Sequence, residues 1–188
     1  MAGQIRLGKR QAGVDRTRSA VLEAARELVA AGDVPTLSVG AVARRAGVSR
    51  LTVYNQFGSR DGLLRAVVGD AHRRAAATSA PSPAADPREE LRQRIGAACA
   101  RWASDPALFR GLTPVGSIHE PAGLDHRHLA ERLAMADQLR PGCSLKEAED
   151  VIGTLTSFAT FDRLHGDGRR SAAAVADILM RLAAGILA

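Results

Sequence analysis

Apolar residues recur at helical spacing along most of the chain. Val21, Leu22, Ala25, Leu28 and Val29 occupy the i, i+1, i+4, i+7 and i+8 positions of one buried helix face. They predict a first helix over residues 17–31, closed by Gly32. Ser38 then caps a short second helix to residue 46, with Val39, Val42 and Ala43 facing in. Gly47 ends it, and Ser49 caps a third short helix to residue 57. Ser59 caps a fourth, which starts at Arg60 and continues through Leu63, Leu64, Val67 and Val68. Residues 1–15 are polar and aperiodic, and are expected to form a disordered basic arm.

The stretch TSAPSPAADP holds three prolines and no large apolar residue, so it reads as a connection. Asp86 caps the next helix, with Pro87 in its first position. Leu91, Ile95, Ala98 and Trp102 share one face as far as residue 104. Residues 105–121 are interrupted by Pro106, Gly111, Pro114, Gly116 and Pro121, with room for a short helix near Leu108. Further helices are expected over 122–138, over 145–164 after the Ser144 cap, and over 171–187. No repeat occurs, and no strand pattern exceeds a few residues. The predicted fold is all-α with about nine helices. Its expected parts are the arm (1–15), a three-helix helix-turn-helix domain (16–68) and a C-terminal helical bundle (69–188).

Composition agrees: 46% of the residues are hydrophobic and only 3% aromatic, a mix that suits helices better than sheets. Charge adds a direction. Residues 1–75 hold 13 Arg and Lys against 6 Asp and Glu, whereas residues 76–188 hold 13 against 14. A basic N-terminal part on a near-neutral body points to a polyanionic partner for that part alone. The two cysteines, Cys99 and Cys143, form no CxxC pattern. They read as reduced thiols of a cytosolic protein, with a structural disulfide as the alternative. No apolar run of about 18 residues is present, and the N-terminus lacks the apolar core of a signal peptide, so a cytoplasmic, membrane-free protein is expected.

The second and third helices carry the chemistry. Ala43 and Ala46 are small enough for two helices to cross closely, Gly47 lets the chain reverse, and Val48 plugs the turn. Val53 and Phe57 are four apart and face inward. Arg50, Leu51, Thr52, Tyr54, Asn55 and Gln56 remain on the other faces. Such a face suits the major groove: Arg reaches guanine O6 and N7, Asn or Gln reaches adenine N6 and N7, and apolar or Thr groups meet the thymine methyl.

The run LSVGAVARRAGVSRLTVYNQFGSRDGLLRAV resembles the N-terminal DNA-binding domain of the tetracycline-repressor (TetR) family of bacterial transcription regulators. The shared framework is Ser38, A-x-x-A-G-V-S from Ala43 to Ser49, T-x-Y from Thr52 to Tyr54, Phe57, and S-[RK]-[DE]-x-L from Ser59 to Leu63. The resemblance covers residues 16–68; the 120 residues after it match only in helical character. It implies that Ser38 and Arg60 bind phosphates and that Tyr54 and Thr52 support them. It also implies that Ser49, Arg50, Leu51, Asn55 and Gln56 face the groove, and Arg45 joins this DNA-binding set. Three positions depart from the family pattern. Gly40 stands where Arg or another polar residue is frequent, Leu51 replaces a small residue, and Gln56 replaces an aromatic or His.

The remaining features favour no chemistry of their own. No G-x-S-x-G, P-loop or G-x-G-x-x-G is present, so no enzyme and no cofactor are expected. His126 and His128 are two apart, a spacing that separates them on a helix, so no metal site is expected with His119. Trp102, Phe109, Phe158 and Phe161 gather in the C-terminal body and, with His119, are candidates to line a small-molecule pocket. Arg101 and His165 are further polar candidates there. Leu155, Phe158, Ile178 and Leu182, on the last two helices, are the expected homodimer interface. These features describe a dimeric DNA-binding repressor released from its operator by a small lipophilic molecule. The alternatives are an interaction module that keeps the helix-turn-helix as a scaffold, or a small helical enzyme.

Overall fold

The computed structural model describes residues 2–32, 37–76, 84–113 and 125–188. These form ten α-helices: α1 (Ala2–Ala30), α2 (Val39–Ala46), α3 (Arg50–Phe57), α4 (Arg60–Ala76), α5 (Pro87–Ser104), α6 (Pro106–Leu112), α7 (His126–Met135), α8 (Leu145–Thr156), α9 (Phe158–Asp162) and α10 (Ala172–Ala183). A π-helical turn, Arg163–Asp167, follows α9. No strand occurs among the described residues; an isolated antiparallel bridge pairs Leu139 with Leu187. The chain divides into two compact units. One holds the residues up to Ala71 and the segment from Ala107; the other holds His72–Pro106 and the chain from Asp125 on.

Local chemistry sets most of the helix starts. Ser38, Ser49, Asp86, Asp125, Ser144, Ser157 and Ser171 are extended, and each side-chain oxygen accepts an N–H from the first turn. Two expectations need correction. Residues 2–15 are helical rather than disordered. The segment contains no proline and adds turns to an existing helix, which needs no new nucleus. Thr17 Oγ1 donates to the Gly13 carbonyl across that join. The helix expected over 145–164 is not continuous, because Ser157 is extended and caps α9 instead. Its Oγ accepts from the Thr160 N–H and donates to the Thr154 carbonyl, so side chain competes with backbone for the ladder.

In the first unit, Val21, Ala25 and Val29 of α1 are buried, as are Val42 and Ala43 of α2, Val53 of α3, and Leu63, Leu64 and Val67 of α4. Leu108, Phe109 and Leu112 of α6 are also buried. Gly111, expected as one of the interruptions of residues 105–121, lies inside α6: a methyl group there would overlap the Val29 carbonyl, so glycine lets α6 lie close against the end of α1.

In the second unit, α5 packs against α7, α8, α9 and α10. Two polar links reinforce its apolar face. Glu90 accepts from Arg94 at 2.6 Å and also pairs with Arg132 of α7. Arg132 in turn donates to the Ala84 and Ala85 carbonyls, fastening the entry to α5. Trp102, 1% exposed, donates its indole N–H to the Thr156 carbonyl at 2.8 Å. That carbonyl ends α8, so the bond ties the last turn of α8 to the core of α5. Trp102→Phe removes the donor and leaves the carbonyl buried. It is expected to lower unfolding stability by about 2 kcal/mol, read from the shift of the urea midpoint.

Candidate nucleic-acid interface

The corner between α2 and α3 is built by backbone geometry. Gly47 takes φ +66°, the left-handed region that glycine enters without a Cβ clash. This lets the Val48 N–H reach the Ala43 carbonyl at 3.0 Å and satisfies the end of α2. Ser49 then opens α3: its Oγ accepts from the Thr52 N–H at 3.0 Å and is hydrogen-bonded to the Thr52 hydroxyl at 2.8 Å. Gly58, at φ +73°, closes α3 by donating to the Tyr54 carbonyl. Ser59 starts α4 directly, its Oγ accepting from the Gly62 N–H.

One side of α3 is anchored and the other is open. Val53 is buried against the unit's core. Arg50 and Asn55 are exposed, Leu51 is 67% exposed and Tyr54 50% exposed. The spacing of these four residues places them on one contiguous stripe. Thr52 and Gln56 are half-buried at its margins. Phe57, expected to face inward, is only half-buried. Its ring is covered by Arg18 of α1, whose guanidinium lies 4.6 Å from the ring centre and donates to the Gln56 carbonyl. Arg18 is therefore a cation at the edge of this surface that the motif did not reveal; the surplus of arginine in residues 1–75 was its only sequence signal.

The remaining predicted residues separate by partner. Arg60 donates to the Leu37 carbonyl at 2.7 Å, which joins the start of α4 to the residue before the Ser38 cap. Ser38 Oγ accepts from the Ala41 N–H. Arg45 is engaged elsewhere: Glu27 of α1 accepts from it at 2.7 Å and 2.6 Å, so this pair fastens α2 to α1.

The expected pocket residues are not all brought together. Trp102 meets Phe158 edge-on at 5.6 Å and His72 edge-on at 6.0 Å, with the buried Arg101 guanidinium 5.3 Å from its ring centre. Phe161 instead stacks on His165 at 4.8 Å, and His165 Nδ1 lies 2.6 Å from the Arg170 carbonyl. Phe109 is buried in the other unit. His119 lies outside the described residues. Of the expected dimer residues, Leu155 and Phe158 are buried within their own unit, Ile178 is half-buried and Leu182 is 57% exposed. A shallow groove on the outer side of α8 is lined by Ser144, Lys146, Glu147, Asp150, Val151, Thr154 and Leu155. Both cysteines are free thiols, and burial pushes Cys99 up to about 11, so it stays protonated near neutral pH. Among the described residues, no group of three or more His, Cys, Asp or Glu side chains could hold a metal, and no helix is long and apolar enough to cross a membrane.

Residues 21–67 match the profile described as bacterial regulatory proteins, tetR family. The HTH-type transcriptional regulator AlkX of Mycobacterium tuberculosis is 50% identical over 48 residues, which are 26% of this chain and 23% of that protein. The HTH-type transcriptional repressor LfrR of Mycolicibacterium smegmatis is 41% identical over 78 residues, 38% of this chain and 40% of that protein. The chain thus spans less than half the length of the relatives it matches. The likeness in fold runs further. The crystal structure of the transcriptional regulator FadR from Bacillus subtilis in complex with stearoyl-CoA superposes with a TM-score of 0.65 at 18% identity, covering 88% of this chain and 96% of that one. The helix-turn-helix corner and the open α3 stripe thus lie in a segment, residues 21–67, that is similar to the bacterial regulatory proteins of the tetR family.

Proposed function

We propose that this protein is a sequence-selective, operator-binding transcriptional repressor that acts as a homodimer and is released by a lipophilic small molecule. The α3 stripe carries the proposal. A helix capped at both ends and anchored through Val53 presents Arg50, Leu51, Tyr54 and Asn55 to solvent. A helix with no partner on that side among the described residues of the first unit, carrying both apolar and amide groups, fits a major groove better than it fits water. Ser38 and Arg60, joined through the Leu37 backbone, suit phosphates flanking that groove. The matched relatives AlkX and LfrR are named as a transcriptional regulator and a transcriptional repressor, which supports the same reading.

Pairing is supported by α10. Leu182 and the half-buried Ile178 leave apolar surface on a helix whose other side is spent on α5. A two-fold dimer would present two α3 helices to half-sites about 34–36 Å apart, so a ligand that changes their separation weakens binding. The effector reading rests on the aromatic cluster at Trp102 and Phe158, beside Arg101, and on the FadR structure, in which the same fold holds stearoyl-CoA.

Selection from a random DNA pool is expected to recover a two-fold symmetric sequence. Asn55→Ala is expected to lose about 1–3 kcal/mol on it and to relax one adenine position. A pool that yields no consensus would falsify the operator reading and favour a scaffold role for the helix-turn-helix. Leu182→Glu is expected to sediment as a monomer and to bind the operator on the order of 100-fold more weakly. A wild type that is already monomeric at micromolar concentration counts directly against the dimer. Titration with long-chain acyl compounds is expected to change Trp102 emission and to release DNA over the same concentration range, because the two effects are linked. Emission that stays constant while DNA is released would place the effector away from Trp102.

A further inference from the structure

The side chain of Arg50 does not continue outward from α3. It folds back onto α2. A methyl group built on Gly40 would come within 2.8 Å of Arg50 Nε, 2.9 Å of a terminal guanidinium nitrogen and 3.0 Å of Cζ. The guanidinium therefore lies over the Gly40 backbone in a space that exists only because residue 40 has no side chain. Gly40 is buried, although Arg50 itself is exposed. Glycine is a poor residue for a helix as short as α2, and its φ is not positive, so no turn geometry requires it here.

Three other arginines of the first unit are engaged: Arg45 by Glu27, Arg60 by the Leu37 carbonyl and Arg18 by the Gln56 carbonyl. Among the described residues, no hydrogen bond or ion pair holds Arg50. Shape places this cation, and its N–H donors remain available. Their location decides what they can meet. Gly40 is the second residue of α2, just past the Ser38 cap. In a helix-turn-helix docked on DNA, the first helix of the pair crosses the sugar–phosphate backbone while the second lies in the groove. A guanidinium laid over the first turn of α2 is on the backbone side, and its planar fork matches two phosphate oxygens.

We infer that Arg50 is a phosphate clamp rather than a base reader, and that Gly40 is the positioning residue that seats it. This rests on the operator-binding reading above and changes the role that the sequence suggested for Arg50.

The test compares wild type, Gly40→Ala, Arg50→Ala and the double variant on the selected operator and its single-base variants, over a range of salt concentrations. Arg50→Ala is expected to weaken binding about tenfold, evenly across the base variants, and to make the log K against log salt slope shallower by about 0.9. Gly40→Ala keeps the charge but fills the seat. It is expected to reproduce most of that loss while its melting temperature holds or rises, since alanine favours the helix and the displaced group is the flexible end of a side chain. The double variant, which has no clash to relieve, is expected to bind no worse than Arg50→Ala alone. A loss confined to one base position makes Arg50 a base reader and overturns the clamp. A silent Gly40→Ala, or one equally damaging without Arg50, overturns the seat. In both cases wild-type selectivity is intact and the operator reading stands. A wild type without selectivity overturns the operator reading, and the clamp with it.

Discussion

The reversal at Gly47 is the constraint on which the first unit is arranged. One residue at positive φ turns the chain, the Val48 N–H closes on the Ala43 carbonyl, and Ser49 begins α3 two residues later. With so short a connection, α3 has little freedom of its own. Its direction follows from that of α2, and α2 is in turn fixed to α1 by the Arg45–Glu27 pair and by the packing of Val42 and Ala43. Local backbone geometry thus determines which side of α3 is open. The exposed stripe of Leu51, Tyr54 and Asn55 is a consequence of the corner as much as of those residues.

The second unit is arranged differently. Its organising element is a helix, α5, whose apolar face serves four neighbours. The polar groups at its two ends perform separate tasks. Glu90, near the start, gathers Arg94 and Arg132 and so sets α7 against α5. Trp102, near the end, takes the last carbonyl of α8. The buried Glu90 carboxylate has a guanidinium on each side, and losing either arginine would leave it under-compensated in the core.

Most of the architecture was legible in the sequence because capping is local. Ser38, Ser49, Asp86 and Ser144 each announce a helix within three residues of themselves, and the structure starts helices after all four. What escaped depended on distant residues. The break at Ser157 lies in an apolar pattern that reads through without interruption, and Trp102, 54 residues away, satisfies the carbonyl just before it. The seat of Arg50 lies on another helix, so no periodicity within α3 shows it. Arg45 appeared to be one more cation near the motif, yet Glu27 had already engaged it. Phe109 and Trp102 seemed close in sequence, but they belong to different units. Pattern reading finds which residues form an element; it does not find which of their charges are already neutralised.

The interruption at Ser157 also bears on how the second unit breathes. A continuous helix opens cooperatively, because each turn is held by the ladder on both sides. Here the ladder stops at Thr156 and restarts on a serine hydroxyl, and it loosens again into a π-turn from Arg163. Amide protons in α9 and the π-turn are thus divided from those of α8, and the short segment can exchange with solvent by local opening while α8 stays closed on the indole of Trp102. The unit is expected to show two hydrogen-exchange clocks where a single long helix would have shown one.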